Sequence, residues 1–194
     1  MIRQMRVAVI GQGYVGLTIS VGALSAGHDV VGVDLSASLV SALKSGKSHI
    51  EGISDGDIVA GLKSGKYLPT TEYKDVVGCE IVVIAVPTPL NGEGGPDLSL
   101  LESAADSLSS VLNSRVLIIN ESTSHPGTLR EVIRPRIEGK SSLGHLYAIS
   151  PERVDPGNAK FGTRNTPRVV GGLSDEARDK AVEFYRTFCD NVVP

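Results

Sequence analysis

Apolar residues in this chain gather in short continuous runs and do not alternate with polar ones. Met5–Ile10, Val30–Asp34, Glu80–Val86, Arg115–Asn120, Leu146–Ile149 and Arg168–Val170 all read this way. Strands apolar on both sides are buried on both sides, the habit of parallel sheets covered by helices. Between the runs the apolar positions take helical spacing. Tyr14–Ala26 is almost wholly small or apolar and predicts a buried helix stopped by Gly27. Leu98, Leu101, Ala105, Leu108 and Leu112 make one apolar face, with Asp97 as the expected N-cap. Ala177, Ala181, Phe184 and Phe188 repeat that pattern behind Ser174. The stretch 36–79 is less regular, with helices expected near Ser36–Ser45 and Asp57–Lys63 and a short strand at Leu68–Thr71. Val192–Val193 reads as the start of a further element. Strands alternating with helices predict an α/β domain with a doubly wound, mostly parallel sheet.

Composition narrows the class. The 194 residues carry 22 Gly, three Phe, five Tyr, no Trp and a net charge of −3. That length is about one domain. A slightly acidic chain with few aromatic rings has no electrostatic footprint for nucleic acid. No apolar run approaches the ~20 residues that span a bilayer, and the N-terminus turns Gly-rich too early for a signal peptide. Cys79 and Cys189 make no disulfide framework, so a cytoplasmic location is expected. His28, His49, His125 and His145 lack metal-ligand spacing, and no metal is expected.

The first chemical signal is Gly11-Gln12-Gly13-Tyr14-Val15-Gly16, a GxGxxG directly after a strand and into a helix. Gly11 permits the tight turn, Gly13 lets a pyrophosphate approach the backbone, and Gly16 lets helix and strand pack closely. The helix N-terminus offers free N–H groups and a positive dipole end. Asp34 closes the second run, where a carboxylate accepts from both ribose hydroxyls of an adenosine and repels a 2′-phosphate. No Arg follows it, so NAD is expected in preference to NADP. The fold expected is therefore the Rossmann NAD-binding fold.

Three further motifs each follow a strand end, the ligand-binding rim of such a sheet. They are Val86-Pro87-Thr88-Pro89-Leu90, the run Glu121-Ser122-Thr123-Ser124-His125-Pro126-Gly127-Thr128, and Ser150-Pro151-Glu152-Arg153-Val154-Asp155-Pro156-Gly157-Asn158. Together with Gly13–Leu17 they resemble the UDP-glucose/GDP-mannose dehydrogenase family, over essentially the whole chain, as its N-terminal NAD-binding domain. The resemblance implies oxidation of the C6 alcohol of a UDP-sugar to a carboxylate with two NAD in succession, in polysaccharide biosynthesis. The Ser-Pro-Glu-Arg form resembles the branch acting on UDP-N-acetylhexosamines (UDP-N-acetylglucosamine or UDP-N-acetylmannosamine), with UDP-glucose as the alternative substrate.

Residue by residue, the resemblance implies that the Thr123 hydroxyl orients a catalytic water near the nicotinamide. It implies that Glu152 is the general base of thioester hydrolysis, a task that suits a carboxylate in a partly dry site. Gly11, Gly13, Tyr14, Val15, Gly16, Asp34, Pro87, Thr88, Ser122, Thr123 and Glu152 are the expected cofactor-binding set. Plainer readings stand beside these: Thr123 as a helix-start cap, Glu152 as a solvated loop acid, and Asn91–Pro96 as a loop tip or a lid over the cofactor. The family's second acid, four residues after the Glu, falls on Pro156, and whether the adjacent Asp155 replaces it stays open. The family's nucleophilic Cys motif, of the GGxCxPKD type, does not occur here; Cys79, in a turn before the third major strand, and Cys189, on the last helix, are expected to be inert, away from the rim motifs. The span 1–194 thus reads as one domain of a longer enzyme, without the central helical and C-terminal UDP-binding domains, and inactive alone. The full-length enzyme is expected to be a homodimer or larger, and this chain a monomer. A non-catalytic NAD-binding regulatory module is the reading from another class. A 3-hydroxyacid dehydrogenase shares GxGxxG but not the three rim motifs.

Overall fold

Six of the strands in the main sheet run parallel, and the seventh is antiparallel. The computed structural model describes residues 3–139, 143–152 and 164–194. Its elements begin β1 (Arg6–Ile10), α1 (Tyr14–Ser25), β2 (Asp29–Val33), α2 (Ala37–Lys44), α3 (Asp55–Lys63), β3 (Tyr67–Thr70), β4 (Ile81–Ile84) and α4 (Ser99–Val111). They continue with β5 (Leu117–Asn120), α5 (Arg134–Glu138), β6 (Leu146–Ile149), β7 (Arg168–Val169), β8 (Gly171–Gly172), α6 (Asp175–Tyr185) and β9 (Val192–Val193). The sheet order is β3-β2-β1-β4-β5-β6-β8. The chain winds outward from β1 to β3, returns to β4 beside β1, and winds the other way, which is the double winding expected from the alternation of strands and helices.

The continuous apolar runs serve two cores. Val7 and Val9 of β1 face a cluster with Leu17, Ala181 and Phe184, whereas Ala8 and Ile10 face a cluster with Leu101, Leu108 and Ile133. A strand sandwiched this way has no polar face to show, which is why its sequence does not alternate. Helix starts follow local chemistry. Ser36 and Ser174 accept from Leu39 N–H and Ala177 N–H, and Ser54 forms a capping box with Asp57.

Four expectations shift. Asp97 is not the N-cap of α4: Leu98 occupies that position, and the Asp97 carboxylate accepts from Ser99 N–H one residue further on. The Arg168–Val170 run does not enter the main sheet. β7 pairs in parallel with β9, and Gly171–Gly172 supplies the antiparallel edge against β6. Two residues are too few to carry a register signal in sequence. Cys189 is not on the last helix, because α6 ends at Tyr185 and Cys189 lies in the turn beyond it. Thr123 is not a helix cap, since the helical turns after it begin at Leu129 with Thr128 before them.

Candidate active site at the sheet's switch point

The cleft opens where the winding reverses, between β1 and β4, and encloses about 540 Å³. Its rim is one layer of residues just past the strand ends. Gly11 N–H bonds to Val33 O, Asp34 N–H to Thr70 O, Ala85 N–H to Ile10 O, Glu121 N–H to Ile84 O and Ser150 N–H to Asn120 O. The sheet ladder therefore continues one residue into each loop and holds the loop starts level with one another.

Gly11 has φ +87°, and a Cβ on it would meet the Ala85 carbonyl oxygen at 2.6 Å. A Cβ on Gly16 would sit 1.8 Å from the Gly11 carbonyl oxygen, so the helix–strand approach needs glycine. Gly13 differs: nothing lies within 4 Å of an added Cβ. It is the N-cap of α1, without a side-chain cap, at an open mouth where a phosphate would meet free amides. Asp34 is gripped from two sides. Gln12 N–H donates to its Oδ2 at 2.8 Å and Ser36 N–H to its Oδ1 at 2.9 Å. Each oxygen keeps acceptor capacity toward the cleft. Apolar walls stand beside it, from Leu35, Leu39, Tyr73 and Leu100. Burial pushes the Tyr73 phenol up to about 12, so it stays neutral.

The other half of the cleft is built by the loops after β4, β5 and β6. Ser122 donates its hydroxyl to Val86 O at 2.8 Å, and Thr88 donates to Thr123 O at 2.5 Å. These two bonds tie the Pro87–Thr88 loop to the Ser122–Thr123 loop. Among the expected residues, Gly11, Gly13, Tyr14, Val15, Asp34, Pro87, Thr88, Ser122, Thr123 and Glu152 all line this one cleft. Gly16 stands behind it as a packing position. The Ser122 hydroxyl is engaged on backbone. Asp155 and Pro156 lie outside the described residues, and so does most of the loop that carries them. The Asn91–Pro96 stretch folds on itself through Asn91, which accepts at Oδ1 from Glu93 N–H and Gly95 N–H.

Glu121 and Arg168 were absent from the expected set. The Glu121 side chain is fully buried and lines the cleft wall. Arg168 reaches it from β7, donating through Nη1 to Glu121 Oε1 and to Ser150 Oγ, and through Nη2 to Glu152 Oε2 at 3.0 Å. The Tyr185 hydroxyl of α6 also donates to Glu121 Oε1, and its ring lies 4.6 Å under the Arg168 guanidinium. Burial pushes the Glu121 carboxyl up, against Arg168 and Tyr185, which pull it down. Burial alone would lower Arg168, but Glu121, Tyr185 and Glu152 more than offset that and hold it charged. The available sequence signals were an acid directly after an apolar strand, between Asn120 and Ser122, and a base heading a short apolar run. Neither names its partner.

Burial raises both cysteine thiols, Cys79 to about 11, which keeps them protonated and unreactive. Contrary to the expectation that it lies away from the rim motifs, Cys189 sits against Arg168, beside the rim chemistry. Among the described residues no group of three or more His, Cys, Asp or Glu could hold a metal. No helix there is long and apolar enough to cross a membrane.

A doubly wound sheet, a glycine loop opening into a helix, and an acid on the second strand end define a dinucleotide-binding domain. Comparison with known proteins sharpens the class. Residues 5–189 match the model of the UDP-glucose/GDP-mannose dehydrogenase family, NAD binding domain, and the chain belongs to that family as its NAD-binding domain. It is 36% identical over 188 residues to UDP-N-acetyl-D-mannosamine dehydrogenase of Pyrococcus horikoshii, covering 95% of this chain and 45% of that protein. The solved structure of the Pyrococcus horikoshii UDP-D-ManNAc dehydrogenase superposes with a TM-score of 0.89, at 35% identity, over 97% of this chain and 46% of that one. A UDP-glucose 6-dehydrogenase of Haloferax volcanii is 31% identical, over 93% of this chain and 44% of its own. The chain thus spans about half the length of the relatives it matches.

Proposed function

We propose that this domain serves a nucleotide-sugar 6-dehydrogenase that oxidises the C6 alcohol of a UDP-N-acetylhexosamine to a uronate. The observation that carries the reading is the single cleft shared by the glycine loop, Asp34, Thr123 and Glu152, together with the 36% identity to a UDP-N-acetyl-D-mannosamine dehydrogenase. The cradle fits NAD. The open face of Gly13 at the start of α1 would take the pyrophosphate, and Asp34 the adenosine ribose, with Leu35, Tyr73 and Leu100 flanking the base. Bound there, NAD supplies the hydride acceptor for each of two successive oxidations. Thr123 and Glu152 stand at the opposite end from Asp34. Glu152 would take a proton from water during release of the acyl product, with Thr123 aligning that water. A carboxylate held in a nearly dry site is competent for that transfer. Substrate contacts beyond this chain, and a nucleophilic thiol, belong to the rest of such an enzyme. The domain organisation, with helical and UDP-binding domains beyond this one, is part of the same proposal, as is a homodimeric or larger full-length enzyme.

Calorimetry with NAD and NADP tests the cofactor half. The chain is expected to bind NAD, to bind NADP less tightly, and to lose about tenfold or more in NAD affinity in Asp34→Ala, the loss of a charged hydrogen-bonding partner. No binding at millimolar NAD overturns the reading. The substrate half is tested with the full-length gene product, by following NADH formation from UDP-N-acetylmannosamine, UDP-N-acetylglucosamine and UDP-glucose. Turnover of UDP-glucose alone would transfer the assignment to the other branch, and binding of NAD with no turnover of any UDP-sugar would favour a regulatory module.

A further inference from the structure

We propose that Arg168 is the positioning residue for Glu152, and that Glu121 shares its guanidinium, so that the two carboxyl groups gain and lose protons as a coupled pair. The proposal rests on the reading of Glu152 as the base at the reacting end of the cleft. Its geometry is a single planar fork between two acids. Nη1 serves Glu121 Oε1 and, at 3.2 Å, Ser150 Oγ, while Nη2 serves Glu152 Oε2 at 3.0 Å. Because the guanidinium is planar and rigid, fixing one acid fixes the direction of the other. The fork is itself clamped. Its side chain is 4% exposed, Tyr185 lies under its face, and the Tyr185 hydroxyl shares Glu121 Oε1. The Glu152 side chain, 10% exposed, is the member of the trio nearest solvent.

The shared cation is why the pair is coupled: among the described residues Arg168 is the cation held by both carboxylates, so the charge on one changes what the other draws from it. Among the described residues the groups facing Glu121 are Arg168 from β7, Tyr185 from α6, Cys189 from the turn after α6, and Glu152 from the loop after β6. Burial holds both Tyr185 and Cys189 neutral; Glu121 reinforces it at Tyr185, while at Cys189 burial prevails over the downward pull of Arg168. Glu152 is the second carboxyl on the same guanidinium. Glu121 Oε2 is buried without a hydrogen-bond partner, which leaves room for a proton there. When Glu152 takes the proton that a water loses, the ionised Glu121 is left to neutralise Arg168 by itself. When Glu152 gives the proton up, the repulsion on Glu121 returns. A carboxylate buried in the cleft wall thus tunes the base at the cleft's edge.

The test uses the 194-residue chain with glutamate side-chain carboxyls labelled with carbon-13 and followed by NMR as pH is varied. Glu152→Gln is expected to lower the Glu121 midpoint by about one pH unit, the size of a directly coupled pair. Arg168→Met is expected to raise it, and Arg168→Lys to cancel part of that rise without restoring the coupling, because an ammonium lacks the fork. An unchanged Glu121 midpoint in Glu152→Gln overturns the proposal. That variant alters the cleft edge and leaves the buried pair intact, so the comparison does not depend on Arg168→Met folding. NAD calorimetry on the same samples separates the two claims. Coupling without NAD binding would sink the cofactor reading and spare the pair, and NAD binding without coupling would do the reverse.

Discussion

At Gly16 an added Cβ would stand 1.8 Å from a backbone oxygen, while at Gly13 it would meet nothing within 4 Å. Two glycines of one motif are therefore needed for different reasons, and substitution separates them. Gly16→Ala is expected to destabilise the fold by about 3 kcal/mol or more, because neither the helix nor the turn can give way. Gly13→Val is expected to change stability by no more than about 1 kcal/mol while lowering NAD affinity at least tenfold, because its side chain would fill the phosphate cradle. Urea unfolding and calorimetry on the same two variants check both halves. Comparable loss of stability in the two would show that Gly13 is a packing residue. Arg168 presents the opposite case, a side chain whose removal strands a charge. Arg168→Met leaves Glu121 buried without its cation and is expected to cost about 3–5 kcal/mol. Glu121→Gln in the same background is expected to recover much of that, since the stranded charge goes with it.

At the scale of elements, two histidines do the same work at two strand starts. His28 precedes β2 and accepts Met5 N–H at Nδ1, at 3.2 Å. His145 precedes β6 and accepts Val116 N–H in the same way, also at 3.2 Å. Each acceptor nitrogen must be unprotonated, and burial lowers both rings below the ordinary value of 6.5. Between the lowered folded value and 6.5 the unfolded chain binds more protons than the folded one, so stability falls as pH falls through that window. Glu121 acts with the opposite sign: its raised carboxyl favours the fold at lower pH. The histidine part is isolated by His28→Asn and His145→Asn, whose amide oxygen can replace Nδ1 without titrating. Urea midpoints compared just above and well below pH 6.5 are expected to show a smaller drop in these variants than in the parent. An identical drop would assign the acid sensitivity elsewhere. Ser54 tests a simpler element. Its capping box with Asp57 starts α3, and Ser54→Ala is expected to cost about 1 kcal/mol.

On the scale of the whole molecule, the reversal of winding between β1 and β4 makes the cleft. The path of the chain after β6 then makes the charged cluster behind it. β7 leaves the main sheet to pair with β9, and this detour delivers Arg168 under Glu121 while α6 delivers Tyr185. The chain spans about 45% of the Pyrococcus horikoshii relative, so NAD binding and turnover are separable expectations for it. Alone it is expected to bind NAD and to form no NADH from a UDP-sugar. Steady NADH formation by these 194 residues would show that the nucleophile lies within them.

Much of this was legible in the residues themselves. Continuous apolar runs marked the buried parallel strands, because a segment covered on both faces must be apolar on both. The glycine loop announced its turn, because only glycine adopts φ +87° at Gly11 without strain. Asp34, Thr123 and Glu152 followed from their places at strand ends and from motif resemblance. Asp97, the partner of β7, the place of Cys189, and the Glu121–Arg168 pair were not legible. Periodicity reports how one segment is covered, which is a local property of its own residues. Which acid meets which base, across four segments far apart in the chain, is set by the route the chain takes between them, and only the folded structure contains that route.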